Sequence, residues 1–165
     1  MDERDGYKLL FNLKDHKCFG CSPINPYGLK MKFYAKEESI FSWVTVSEYL
    51  CGWENLVHGG VITAILDEIM GRTALYTLKK FIMTKDIHVQ FLKPVQVEQE
   101  LMAQGTVLRL TNEREAIIEG FLFSGKDKLC AKATGSFALF DPSSLKKKSV
   151  MDQDQLDNLA KLIGG

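Results

Sequence analysis

His58-Gly59-Gly60-Val61-Ile62-Thr63-Ala64-Ile65-Leu66-Asp67-Glu68-Ile69-Met70-Gly71-Arg72-Thr73-Ala74-Leu75-Tyr76-Thr77-Leu78 carries the longest helical pattern in this chain of 165 residues. Ile62, Ile65, Leu66, Ile69 and Thr73 recur at the i, i+3, i+4 spacing that keeps one face of a helix apolar. Val61, Ala64, Met70 and Ala74 fill much of the remaining surface. A helix apolar on nearly every side is a buried one. Asp67 and Glu68 interrupt it, and two acids are costly to bury without a reason.

The flanking segments read as strands. Leu29 to Ala35 alternates Leu29, Met31 and Phe33 with Lys30 and Lys32, and Ser39 to Val46 alternates in the same way, so both predict half-buried strands. Lys36-Glu37-Glu38 suits the hairpin turn between them. Ser47 to Val57 is irregular. After the helix come four stretches rich in β-branched and aromatic residues: Thr84–Leu92, Leu101–Leu110, Ala116–Ser124 and Leu129–Phe140. Turn signals at Thr111-Asn112-Glu113 and Gly125-Lys126-Asp127 separate them, and Pro94 ends the first. One long helix wrapped by an antiparallel sheet is a two-layer α+β arrangement. Residues 1–28 form a lead-in and a loop rich in Cys, Gly and Pro, 29–142 the folded domain, and 143–165 a C-terminal extension. In that extension Lys146-Lys147-Lys148 reads as a solvated run, and Leu156, Leu159, Leu162 and Ile163 mark a short amphipathic helix. Its apolar face suits packing on its own domain or on a partner subunit.

Bulk properties exclude several classes. Lys plus Arg equals Asp plus Glu at 21 each, so no global basic field draws in nucleic acid. The N-terminus lacks the basic start and apolar run of a signal peptide, and no apolar stretch nears the roughly 20 residues of a membrane span. A cytoplasmic protein with Cys18, Cys21, Cys51 and Cys130 as reduced thiols is the expectation. Cys18-x-x-Cys21, with His16, offers half a zinc site, but no second Cys/His pair stands at a suitable spacing to complete four ligands. A redox dithiol is the other special reading, and plain buried or loop thiols the ordinary one. No metal or cofactor is expected.

The chemistry concentrates where the long helix starts. His58-Gly59-Gly60 stands at a helix N-terminus, which carries unpaired N–H groups and a partial positive charge. Glycines let a substrate approach the backbone, so a carbonyl oxygen that becomes an oxyanion would be stabilised there. Alone, that motif is better explained by a plain Gly-rich helix start. Asp67 lies nine residues beyond His58, about two and a half turns on, and so not directly beneath the Gly-Gly of its own helix. An identical subunit with its helix antiparallel alongside would bring Asp67 of one chain to Gly59 of the other. Geometry leaves the choice between Asp67 and Glu68 open, since they lie about 100° apart around the helix.

The stretch Gly52-Trp53-x-x-x-Val57-His58-Gly59-Gly60-Val61-Ile62-x-Ala64-x-Leu66-Asp67-Glu68 resembles the PaaI-like branch of the hotdog-fold thioesterase superfamily. Cys18-Phe19-Gly20-Cys21 through Asn25-Pro26-x-Gly28-Leu29 is similar to an N-terminal signature of that branch. Thr84-x-Asp86-x-x-Val89-x-Phe91-x-x-Pro94 is similar to its third strand. The resemblance runs from about Cys18 to Phe140. It implies a hotdog fold, homodimers with sheets continuous across the interface and often tetramers, and sites between subunits that hydrolyse acyl-CoA or acyl-carrier-protein thioesters without a cofactor. Residue by residue, it implies Asp67 as general base or nucleophile, the Gly59 N–H as oxyanion donor, His58 at the thioester corner and Thr84 placing the attacking water. Gly60 and Glu68 adjoin these positions as substrate-binding candidates. Related enzymes often carry Asn or Gln just upstream of HGG. Here Cys51-Gly52 occupies that region, and nearby Asn55 is the candidate for the missing contact.

Two further readings compete with the thioesterase. A non-catalytic acyl-CoA-binding module is disfavoured by the retained Asp67 and by too few leading residues for a DNA-binding domain. A hotdog dehydratase or hydratase would press His58 and Asp67 into moving protons at the α and β carbons, which the motif matches less well. The acyl group is not legible, and no basic residue is assigned to the CoA phosphates.

Overall fold

The computed structural model describes residues 4–125, 127–141, 144 and 153–164. Nine strands are assigned among them: β1 (Lys8–Leu9), β2 (Tyr34–Lys36), β3 (Ser39–Thr45), β4 (Cys51–Trp53), β5 (Leu56–Val57), β6 (Phe81–Phe91), β7 (Glu100–Asn112), β8 (Glu115–Ser124) and β9 (Lys128–Phe140). The helices are α1 (Gly59–Leu78) and α2 (Gln153–Gly164). Seven strands form one antiparallel sheet in the order β1-β2-β3-β7-β8-β9-β6, and β4 and β5 make a separate small hairpin. The sheet wraps α1. This is the α+β hotdog architecture expected from the pattern of elements.

Helix α1 begins and ends for local reasons. His58, in extended conformation, caps it by accepting the Gly60 N–H through its side chain, and Lys79 closes it in the left-handed region at φ 55°. Ile65, Leu66, Ile69, Met70 and Ala74 are fully buried, and Ile62 nearly so. Each of the Ile, Leu and Met side chains contributes roughly 1.5–3 kcal/mol by leaving water. The sheet receives the helix through glycines. Gly105 on β7 and Gly120 on β8 are directly paired. A methyl group at Gly105 would lie 2.2 Å from Thr73 Oγ1 and 3.0 Å from the Ile69 carbonyl, and one at Gly120 would lie 2.9 Å from Met70 Cγ. The absence of side chains there lets α1 sit directly on the sheet.

Several sequence expectations are redrawn. Leu29, Met31 and Phe33 are buried and Lys30 and Lys32 exposed, as the alternation requires, but ladder pairing begins only at Tyr34. The Leu29 and Met31 N–H groups donate to the Phe19 and Gly20 carbonyls instead. The pattern reports burial, not partner, and here the partner is the N-terminal loop. The lead-in supplies β1, and Leu10 joins the main core. Ser47 to Val57, read as irregular, holds a short 3-10 turn at Glu48–Leu50 and the β4–β5 hairpin. Helix α2 packs Leu156 and Leu159 on Leu75 of α1, with Phe81, Phe140, Leu162 and Ile163 around them, so its apolar face is spent on its own domain. The Lys146-Lys147-Lys148 run and the expected boundary at 142–143 lie outside the described residues.

Replacing Gly105 by Ala should destabilise the protein by about 1–3 kcal/mol through overpacking against α1, read as a lower urea midpoint with an unchanged slope.

Candidate functional site

Asp67 and Glu68 leave α1 in two directions. Asp67 faces the edge strand β6, where Thr84 Oγ1 donates to Asp67 Oδ1 at 2.8 Å. A bulge at Lys85 interrupts the β6–β9 register, with Thr84 opposite Phe137 and Asp86 opposite Ser136. Bulges re-aim side chains, and this one separates the direction of Thr84 from that of Asp86, which accepts a hydrogen bond from Ser136 Oγ on β9. Asp67 and Thr84 are both candidates from the sequence, and the fold joins them.

Glu68 turns toward the N-terminal loop. Its two carboxylate oxygens lie 3.8 and 3.7 Å from Cys18 Sγ. Burial, followed by the nearby Cys18, pushes its carboxyl up to about 7. The Cys18 thiol is pushed down to about 5, first by a hydrogen bond from the Cys21 side chain and then by the Cys21 and Gly20 backbone N–H groups, against the opposing effect of burial. The Cys21 thiol is pushed up, first by that same bond and then by burial. Donor atoms of His16, Cys18 and Cys21 all lie within 4.8 Å of one another, so these are the residues with metal-ligand geometry among those described. Glu68, a substrate-binding candidate, thus faces the N-terminal loop and lines the same cavity as Asp67. The spacing within α1 did reveal that the two acids differ in direction; it did not reveal which neighbour each would meet.

The N-terminus of α1 holds the remaining candidates. His58 Nδ1 accepts the Gly60 N–H at 2.9 Å, and the His58 carbonyl accepts from Val61 and Ile62. The Gly59 N–H is left without a partner among the described residues. The Phe91 ring, at the far end of β6, lies 3.6 Å from where a Gly59 side chain would begin, which walls this corner with an aromatic face. Asn55 sits in the β4–β5 turn at φ 66°, and its carbonyl accepts the Val97 N–H. Gly59 and Asp67 are eight residues apart on one helix, roughly 12 Å along its axis, too far to serve one carbonyl within a single chain.

Beside Asp67 and Thr84 lies a cavity of about 280 Å3. Leu13, Leu75, Phe81, Ile82, Leu159 and Leu162 give it apolar walls, and Glu68, Arg72, Cys18 and Cys21 give it a polar end. Arg72 is buried on α1, donates to the Phe11 carbonyl and holds its guanidinium 5.3 Å from the Phe33 ring centre. Sequence reasoning passed over Arg72, for which a lone arginine in an apolar helix was the available signal; Phe91 stood in the third-strand motif without a role at the Gly59 corner.

A sheet wrapped round one helix, with an acid on that helix facing an edge strand, defines a protein of the hotdog class. Residues 54–131 match the family model of the Thioesterase superfamily. Solved structures agree on the fold. A thioesterase superfamily protein superposes with a TM-score of 0.66 at 21% identity, over 70% of this chain and 57% of its own, so this chain spans little more than half of that relative. A thioesterase from Haemophilus influenzae gives 0.65 at 21% identity, over 73% of this chain and 85% of its own. The Escherichia coli PaaI protein from the phenylacetic acid degradation operon gives 0.62 at 16% identity, over 68% and 81%. No curated protein sequence matches. Among the described residues no helix is long and apolar enough to cross a membrane.

Because the cap on α1 is a side-chain acceptor, His58→Ala should cost about 1 kcal/mol in thermal melts, and His58→Asn should recover most of that loss.

Proposed function

We propose that the protein hydrolyses acyl-CoA or acyl-carrier-protein thioesters in the PaaI-like manner, as a cytosolic homo-oligomer with each site shared by two copies. The observation that carries this reading is the Asp67–Thr84 pair at the rim of an apolar cavity. A carboxylate held by a hydroxyl suits the orienting of an attacking water, and the apolar walls suit an acyl group. The cavity is larger than the ~150 Å3 that accommodates benzene, so an aryl or medium-length chain is the fitting class.

Thioester hydrolysis asks little else of a protein. Asp67 takes a proton from water as the oxygen attacks the carbonyl, or attacks the carbonyl itself. The tetrahedral oxyanion needs an N–H donor, and the free Gly59 N–H at the positive end of α1 is suited to it. Collapse expels a thiolate, a good leaving group that recovers the proton. His58, occupied in capping the helix, shapes that corner; Gly60 supplies close backbone approach, and Asn55 is the nearby candidate for a second polar contact.

Two copies are required because the Gly59 and Asp67 of one chain are too far apart. Strand β6 is an open edge of the sheet with exposed apolar residues Met83 and Phe91 on it and Leu92 just beyond. A long open edge is a template for pairing with another strand. Edge-to-edge pairing of two β6 strands about a two-fold axis would continue the sheet and set two α1 helices antiparallel.

Asp67→Asn should lower turnover of the best substrate in an acyl-CoA panel by 10²–10⁴-fold, followed by loss of thioester absorbance. Gly59→Pro should be similarly inactive with the helix intact, since proline is tolerated at the first helical position and removes only the N–H. Refolded together in equal amounts, the two dead variants should recover about one quarter of wild-type activity, the share expected for one intact site in half of the dimers. No recovery would rule out the shared site. No turnover by wild type on any ester, with ligand binding intact, would replace the enzyme by an acyl-CoA-binding module.

A further inference from the structure

The N-terminal loop closes on α1 through a group of donors that thioester hydrolysis does not use. His16, Cys18 and Cys21 present donor atoms within 4.8 Å of one another. The Glu68 carboxylate stands against Cys18 Sγ on the helix side, at 3.7 Å for the nearer oxygen. His16 Nε2 is buried and has no hydrogen-bond partner, an expensive state for an imidazole nitrogen. Two sulfurs, one imidazole and one carboxylate thus converge from two segments separated by 47 residues (68 minus 21).

The loop is built to hold this arrangement. Ser22, fully buried, donates to the His16 carbonyl and accepts the Ile24 and Asn25 N–H groups at 3.2 and 3.0 Å. Phe19 and Gly20 bond to Leu29 and Met31 on the other side. Gly20 lies so close to Glu68 that a methyl group there would sit 2.4 Å from the carboxyl carbon. A side chain there would displace the Glu68 carboxylate from its place beside Cys18. The Gly20 and Cys21 N–H groups point at Cys18 Sγ, which a metal-bound thiolate also requires.

We propose that His16, Cys18, Cys21 and Glu68 form a tetrahedral Zn2+ site that fastens the N-terminal loop to α1. Thiolates and imidazole favour zinc over the hard cations magnesium, calcium and manganese. Four protein ligands close the coordination sphere, which makes the site structural. A zinc–sulfur bond of about 2.3 Å puts two tetrahedral sulfurs roughly 3.8 Å apart, so His16, Cys18 and Cys21, now within 4.8 Å of one another, draw together by on the order of 1 Å on binding, and the Glu68 carboxylate, now 3.7 Å from Cys18 Sγ, swings in to complete the set. Two thiolates, one carboxylate and Zn2+ sum to a charge of −1 (−2 −1 +2). Arg72, one helical turn from Glu68 and buried in the same wall, carries the compensating positive charge. A count of Cys and His along the sequence stops at three ligands because the fourth is a glutamate from another element. This site departs from the expectation of no metal, and it stands whether or not Asp67 hydrolyses thioesters.

The test uses the full chain without an affinity tag, purified with a reductant and no chelator. Elemental analysis should find one zinc per chain. After stripping, Co2+ should give thiolate charge-transfer absorption and the intense visible bands of a four-coordinate ion. Cys18→Ser should abolish the charge-transfer signature of the two-sulfur site. Glu68→Gln, which keeps the shape of the side chain, should weaken metal binding at least ~10-fold in competition with a chromophoric chelator. Saturating zinc should raise the wild-type Tm by about 5 °C or more and leave that of Cys18→Ser nearly unmoved, with circular dichroism confirming that both variants fold. A metal-free chain from zinc-replete medium that gives no cobalt charge-transfer band overturns the proposal. So does wild-type affinity in Glu68→Gln, or a Cys18–Cys21 disulfide whose reduction restores no zinc uptake.

Discussion

The close seat of α1 on the sheet is the contact on which the rest depends. Gly105 and Gly120 face the helix with no side chain between them and Ile69, Met70 and Thr73. At that distance the helix has no room for charged groups on its sheet side: Ile65, Leu66, Ile69 and Met70 are fully buried there, and the buried Thr73 hydroxyl donates back to the Ile69 carbonyl. Polar residues in the middle of α1 must leave sideways, toward whatever flanks the helix. A helix standing further off would admit water between the layers and would not have to sort its acids.

That sorting gives Asp67 and Glu68 different chemistries. Adjacent residues point about 100° apart, so one reaches the edge strand and the other the N-terminal loop. At the edge strand, a hydroxyl and an apolar cavity adjoin a carboxylate with no ion-pair partner among the described residues. At the loop, sulfur, imidazole and guanidinium surround a carboxylate that burial drives up to about 7. The same two-letter motif thus serves both the proposed hydrolytic site and the proposed zinc fastening, and Cys18, Cys21 and Glu68 line one end of the cavity that Asp67 and Thr84 also line.

Much of this was legible beforehand. The 3.6 period of residues 58–78, the strand alternations and the order of elements sufficed for a sheet around one helix. HGG followed by LDE, and Thr84 in its own motif, sufficed to single out the residues that meet at 2.8 Å. Where the reading missed, it missed for a common reason. The alternation from Leu29 to Ala35 predicts a strand because it records which side is buried, while the Leu29 and Met31 N–H groups go to Phe19 and Gly20 and ladder pairing starts at Tyr34.

The sequence by itself determined local conformation and burial, because period, capping residue and turn chemistry act within a few positions. It determined that two acids stand in an apolar helix and that Gly59 opens it. Tertiary structure alone decided what those groups face. The bulge at Lys85 aims Thr84, the glycine at position 20 admits the loop to Glu68, and β6 falls at the open edge. Such encounters depend on packing between segments tens of residues apart, where spacing along the chain carries no information about distance.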